Sequence, residues 1–77
     1  MTLNAVDVAR YVIDKMGEMP ASELHELLYL SQAWYLAWEG EPLFDDPIEL
    51  WEDRPVVPTV HRYHEGSSKV DSHMFHV

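Results

Sequence analysis

The feature that most limits the fold is a run of prolines in the middle of the chain. Four of the five prolines lie between positions 42 and 58 of the 77 residues. Each proline fixes φ and removes a backbone N–H donor, so neither a regular helix nor a central strand can run through this segment. We therefore expect helical segments on both sides of a proline-rich part that is irregular or forms short strands.

Two helices are predicted before the prolines. Asn4 is a candidate N-cap for the first, whose apolar residues recur at spacings of three and four until Gly17. Ser22 is a candidate cap for the second, which Gly40 is expected to end. The second helix is apolar on more than one stripe, so we expect contacts on more than one side.

The second helix carries both aromatic and polar residues. Trp34, Tyr35 and Trp38 are expected in the core by default, although Trp and Tyr are also frequent anchors of interfaces. Ser31 and Gln32 are interpreted as a polar packing element rather than a catalytic pair.

After Gly40 the sequence predicts an anchored turn at Leu43 and Phe44, then a short extended or irregular segment at 48–51 and an extended one at 56–57. A third helix is predicted from Pro58 or Thr59 to about Glu65. The fold class is thus a mainly α, small helical domain of about three helices with a proline-rich irregular or short-strand segment between helices 2 and 3. Residues 1–66 are assigned to this domain and residues 67–77 to a polar tail.

The charge is strongly acidic and unevenly placed. Fourteen acidic and five basic side chains give a net charge of −9, and residues 41–54 alone carry six acids and one base. Such a surface repels nucleic acid and anionic membranes, and it attracts basic protein surfaces. A simpler interpretation is that the acids only keep a small apolar protein in solution.

Several classes of protein are not expected. Cysteine is absent, which excludes disulfides and thiolate chemistry. No uninterrupted apolar run is long enough to cross a bilayer, and the amino terminus does not resemble a signal peptide, so a cytoplasmic location is expected. Neighbouring acids are present without a nucleophile, a base and an oxyanion donor, so we expect no catalytic residues, no enzymatic activity and no cofactor.

The histidines form two pairs with a spacing of three. His61 and His64 lie on the predicted third helix, and His73 and His76 lie in the tail. Two such pairs are weak candidates for a zinc or nickel site, because i and i+3 side chains project to the same side of a helix. Surface or packing histidines are the preferred interpretation, and no metal is assigned.

Three strings of residues carry a resemblance to a known family. These are Asp7 to Ile13 (DVARYVI), Leu27 to Ala37 (LLYLSQAWYLA), and Gly40 to Val60, which contains GEPLFDDPIELW and PVVPTV. In this order they resemble the Panacea domain, found in SocA-like antitoxins and phage-associated proteins. The resemblance covers residues 5 to about 63 and corresponds to the amino-terminal half of such domains.

Two local departures from the family pattern bear on function. Glu23 and Glu26 stand where basic residues often precede the Leu-Leu-Tyr element, and Arg54 replaces a glycine before Pro-Val-Val-Pro. The resemblance implies a helical protein that binds and neutralises another protein, as SocA-like members do with a toxin. A possible homodimer is a further hypothesis, motivated by the apolar residues outside one stripe of the second helix.

Two functional hypotheses follow. The first is a non-enzymatic, antitoxin-like inhibitor of a protein partner. The alternative is a phage or mobile-element anti-CRISPR protein whose acidic surface blocks the DNA-binding channel of a Cas effector. Both predict a partner with a basic surface and no direct binding of nucleic acid or membrane. The predicted partner-binding residues are Glu41, Asp45, Asp46, Glu49, Trp51, Glu52 and Asp53, with Glu23 and Glu26 as a secondary set.

Overall fold

The computed structural model describes residues 3–75 and contains three α-helices, α1 (Ala5–Met16), α2 (Ala21–Glu39) and α3 (Pro58–His64). Four short strands accompany them: β1 (Met19–Pro20), β2 (Glu49–Trp51), β3 (Arg54–Val56) and β4 (Lys69–Val70). A 3-10 turn follows at Ser72–Met74. The predicted class, mainly α with three helices and a proline-rich segment between the second and third, is confirmed.

The ends of α1 and α2 follow from local chemistry, with one difference from prediction. Asn4 caps α1 by accepting the backbone N–H of Asp7 at 2.9 Å, and Gly40 ends α2 in the left-handed conformation. The prediction that Ser22 caps α2 is wrong, because the helix begins one residue earlier at Ala21. The backbone N–H of Ala21 instead donates to the carbonyl of Ser68 at 2.9 Å, so a distant segment satisfies this helix end.

The core is built from one face of each helix and from the segments between and after them. Its largest fully buried side chains are Phe44, Phe75, Ile13, Leu24, Leu28, Val57, Val60 and Val70. Val70 and Phe75 belong to the segment predicted as a polar tail. Residues 69–70 pair antiparallel with β1, and Arg10 donates to the carbonyl of Phe75 at 3.1 Å. Residues 69–75 are therefore packed onto the helices.

Gln32 holds the loop after α2 in place. Its Oε1 accepts the backbone N–H groups of Leu43 and Phe44 at 2.8 and 3.3 Å, and its Nε2 donates to the carbonyl of Phe44 at 2.7 Å. Phe44 is thereby inserted into the core, fully buried, beside a backbone bridge to Leu3. The anchored turn predicted at Leu43 and Phe44 is confirmed, and Gln32 is the polar packing element.

Asp46 joins three parts of the chain. Its Oδ1 accepts the first backbone N–H of α1, from Ala5, at 2.8 Å, and its Oδ2 accepts the hydroxyl of Thr59 at 2.8 Å. A carboxylate at the start of two helices is favoured, because the unpaired N–H groups there carry partial positive charge. The proline-rich loop is thus fastened both to α1 and to α3.

β2 and β3 form a two-stranded hairpin with Trp51 opposite Arg54. The two residues between them, Glu52 and Asp53, have φ values of 53° and 65°. Positive φ at both positions is the geometry of a type I′ turn, which asparagine and glycine favour and other residues enter at a cost. Arg54 therefore stands in the strand, and the left-handed turn conformation falls on two acidic residues.

The turn predicts a stabilising substitution. Replacing Glu52 by Asn and Asp53 by Gly should raise the free energy of unfolding by about 1–2 kcal/mol, because both new residues accept positive φ more readily. Urea denaturation followed by circular dichroism measures the change. A matched glycine at Glu65, where φ is −51°, should give no such gain. An unchanged midpoint for the turn variant would contradict the strain argument.

The Gln32 contact predicts a loss of stability. Gln32→Met keeps the length of the side chain but leaves the loop N–H and carbonyl groups without their partner, at a cost of about 2–4 kcal/mol. Gln32→Glu keeps the acceptor for both N–H groups, and its protonated carboxyl can also donate to the carbonyl of Phe44, so a smaller cost than for Gln32→Met is expected at about pH 4. Equal losses for the two variants in the same denaturation assay would contradict this account.

Candidate partner-binding surface

Six of the seven predicted partner-binding residues are exposed at or before the hairpin. Glu49, Trp51, Glu52 and Asp53 lie on β2 and the turn, while Glu41 and Asp45 lie in the preceding loop. We call these six residues the acidic hairpin surface. The structure places Asp46 elsewhere, since it is partly buried and both carboxylate oxygens serve the Ala5 and Thr59 hydrogen bonds.

Trp51 is held in position although it remains 41% exposed. Its indole N–H donates to Oε1 of Glu49 at 2.9 Å, and its ring lies edge-on to the ring of His61 with centroids 5.0 Å apart. A side chain fixed before binding loses less conformational entropy when a partner covers it. Trp51 therefore offers a pre-positioned aromatic contact with carboxylates around it.

A cluster of three histidines lies beneath Trp51. His25 on α2 and His64 on α3 are both buried, and their Nε2 atoms are 2.8 Å apart. The ring centroid of His61 lies 5.0 Å from that of His64 and 6.5 Å from that of His25. The predicted pair of His61 and His64 is thus confirmed as neighbours on one helix, with His25 as a third member from another element.

The hydrogen bonds assign the protons of this cluster. The backbone N–H of Val57 donates to Nδ1 of His25 at 3.1 Å, so the proton of neutral His25 is on Nε2. Nε2 of His25 then donates to Nε2 of His64, which leaves the His64 proton on Nδ1. That buried Nδ1 has no hydrogen-bond partner within residues 3–75. The cluster therefore joins α2 to both ends of α3, at Val57 and at His64, only while both rings are neutral.

The environment of the cluster disfavours protonation. Burial, together with neighbouring His64 and His61, lowers the pKa of His25 to about 4. Burial and then His61 also lower the pKa of His64. A proton on Nδ1 of His25 would face the N–H of Val57, and a proton on Nε2 of His64 would face that of His25. The charged form of His25 thus loses both solvation and hydrogen bonds.

The described residues give no support to a metal site. Within residues 3–75, no group of three or more histidine, cysteine or acidic side chains is arranged to hold a metal ion. His73 is exposed in the 3-10 turn, away from the buried pair, and His76 lies outside the described residues. His25 and His64 are instead joined in a buried, hydrogen-bonded packing cluster.

The aromatic residues of α2 lie differently from the default prediction. Trp34 and Trp38 are 63% and 76% exposed, so their assignment to the core is wrong, and their rings stack with centroids 6.3 Å apart. Glu23 and Glu26, the secondary predicted set, are exposed on the first turns of the same helix. Only the first half of α2 supplies fully buried core residues, which end at Leu28.

His25 was missed from the sequence, although a signal for it exists. It lies between Leu24 and Leu28 on the buried face of α2, and Gln32 follows seven residues later on the same face. A polar side chain repeated at helical spacing on a buried face needs a partner. The partners, the backbone of Val57 and of Leu43, are supplied by the proline-rich segment, whose path the sequence does not give.

The histidine cluster predicts a pH-dependent stability. The pKa of His25 is about 4 in the folded chain against 6.5 as its ordinary value, so the unfolded chain takes up the proton first as pH falls. Stability is therefore full above about pH 6.5 and decreases below it, by about 2 kcal/mol at about pH 5 from His25 alone. Urea denaturation between about pH 7 and about pH 5, where most carboxylates remain ionised, measures this. His25→Asn should flatten the dependence and the exposed control His73→Asn should leave it unchanged; an equal slope in all three would contradict the assignment.

No helix within residues 3–75 is long and apolar enough to cross a membrane. No match was found among curated proteins or among solved structures. One family model does match, that of the antitoxin SocA-like, Panacea domain, over residues 24–75. The match includes α2 with Gln32, the acidic hairpin surface, α3 and the packed segment up to Phe75, which together are 52 of the 77 residues. The chain therefore belongs to the SocA-like Panacea domain family.

Proposed function

We propose that this chain is a non-enzymatic antitoxin that neutralises a protein partner by direct contact through the acidic hairpin surface. Membership of a family described as antitoxin-like supports a toxin as the partner. The observation that carries the choice of surface is the hairpin itself, where Trp51 is held by Glu49 and His61 within a rim of exposed carboxylates. An aromatic anchor with a charged rim is typical of a protein-binding hot spot.

The charge of this surface defines the partner. Residues 41–54 carry six acids and one base, and five of those acids are exposed. The complementary surface on the toxin is basic, with an apolar pocket that receives the indole of Trp51. Long-range attraction raises the rate of encounter, and the desolvated centre around Trp51 sets the lifetime of the complex. Such a chain works in the cytoplasm, without a cofactor and without contact to nucleic acid.

A second candidate uses the same acids in a different way. An anti-CRISPR protein would place them in the DNA channel of a Cas effector, where carboxylates take the positions of phosphates. The net charge of −9 supports this candidate, since a binding channel for nucleic acid is strongly cationic. The two functions differ in how duplex DNA affects the complex. Duplex DNA competes with this chain for a Cas channel, whereas it does not compete for a toxin surface that does not bind DNA.

The antitoxin function is tested with the chain as bait. Proteins captured from bacterial lysate are identified and each is expressed alone; the antitoxin partner is the one that stops growth. Co-expression of this chain should restore growth, and duplex DNA should not displace the pair in vitro. Growth arrest that co-expression does not relieve would overturn the antitoxin function, and displacement by duplex DNA would favour the anti-CRISPR alternative.

The surface is tested with two variants of equal charge. Glu52→Gln with Asp53→Asn removes two charges from the hairpin turn, and Glu18→Gln with Glu65→Gln removes two elsewhere, all four positions being exposed. The hairpin variant should weaken binding of the captured partner about 10- to 100-fold and reduce its salt dependence, as expected for close charge pairs. The control variant should change binding less than about threefold. Equal effects of the two variants in calorimetric titration would exclude the hairpin as the contact.

A further inference from the structure

The outer face of the second half of α2 is an apolar surface that the acidic hairpin surface does not include. Its members are Leu30, Ala33, Trp34, Ala37 and Trp38, which follow one another at helical spacings of three and four and line a shallow depression of about 300 Å³. We call this set the α2 outer face. It lies opposite the buried residues Leu24 and Leu28, and its large side chains are half exposed or more.

The exposure of this face is large for so small a protein. Leu30 is 50% exposed, Trp34 is 63% exposed and Trp38 is 76% exposed. With roughly 250 Å² for each Trp side chain and somewhat less for Leu, about 450 Å² of apolar surface is open to water. This is the size of the largest apolar patch on a typical monomeric protein, and such a patch is often functional. A partner surface is therefore expected on this face.

The charge pattern identifies the occupant. No residue from Leu27 to Trp38 is charged, in a chain whose net charge is −9. A basic toxin finds no carboxylate within this face, whereas a second copy presents a face that is equally uncharged and apolar. Two copies of the face would bury about 900 Å² of apolar surface in total, which is the size of a weak, concentration-dependent interface. We propose that the chain forms a symmetric homodimer through the α2 outer face.

The residues also fit the geometry of a two-fold axis. In an antiparallel pair of helices the axis passes near the middle of the face, at Trp34, so that each copy makes the same contacts. Ala33 and Ala37 flank this position and are small, which lets the helix axes approach to about 8 Å. The stacked rings of Trp34 and Trp38, 6.3 Å apart, then cover the corresponding rings of the second copy.

The net charge of the chain makes the dimer sensitive to salt. Each copy carries a net charge of −9, and the segment from Leu27 to Trp38 holds no charged side chain that could offset it across the interface. Two copies with the same sign of charge repel each other. Added salt screens this repulsion. Self-association should therefore strengthen with salt, whereas binding of a basic partner to the hairpin weakens.

The dimer is tested by sedimentation of the full chain over a range of protein concentration, in about 50 mM and about 500 mM NaCl. The mass should shift from the 9.0 kDa monomer to about 18 kDa, with a dissociation constant several-fold lower at high salt. Trp34→Glu should raise the dissociation constant at least 100-fold. Leu50→Glu, the same charge change at a residue 73% exposed on the hairpin, should alter it by less than threefold.

Several results would overturn the proposal. The first is that the chain sediments as a monomer at every concentration and at both salt levels. The second is that Trp34→Glu associates as strongly as the wild type. The third is that high salt abolishes the association. Circular dichroism of both variants establishes that the fold is kept.

Because the chain lacks cysteine, Ala33→Cys gives a second measurement. Mild oxidation should link its two copies far faster than those of Ser22→Cys on the same helix, and equal rates would contradict the antiparallel pairing.

Discussion

The path of the whole proline-rich segment depends on the side-chain amide of Gln32. Outside the β2–β3 hairpin the segment cannot satisfy its own backbone through helix or sheet, because prolines remove donors and fix φ at four positions. Gln32 supplies both an acceptor and a donor to the first turn of the segment, at Leu43 and Phe44. An amide carries an acceptor oxygen and a donor nitrogen on one planar group, so it can do both at once. Phe44 is thereby buried in the core, and this fixes where the rest of the proline-rich segment begins.

After Phe44, the side chains of Asp46 and His25 hold the segment in place as far as α3. Asp46 receives the first N–H of α1 and the hydroxyl of Thr59, and His25 receives the N–H of Val57 just before α3 begins. Asp46 lies in the loop and bonds to groups at the starts of α1 and α3. His25 lies on α2 and bonds to the loop backbone at Val57. Between these two contacts the chain folds back as the β2–β3 hairpin, so its acidic turn is displayed from a fixed base. The surface acids are presented by a loop whose polar interior is almost fully paired.

The sequence predicts the helices well because their signals are local. Asn4, Gly17 and Gly40 mark helix ends through short-range chemistry, and prolines mark the irregular part. The roles of His25 and Asp46 could not be predicted, since their partners are 32 and 41 residues away in the chain. Val70 and Phe75 were missed for the same reason: β4 is two residues long and is formed by pairing with Met19 and Pro20. The prediction that Trp34 and Trp38 are buried was wrong, because apolar spacing alone does not show how far a helix extends past the elements that pack on it.

The length of α2 explains why one helix has both a core half and an open half. Nineteen residues give a helix of about 28 Å, close to the longest dimension of the domain, 34 Å. α1 has only twelve residues and α3 seven, so the elements that could cover α2 are much shorter than α2 itself. Hence the segment from Leu30 to Trp38 keeps an apolar side that the domain does not cover. Apolar surface left open to water lowers the solubility of the protein. In the proposed dimer, the same face of a second copy would cover this surface and remove that cost.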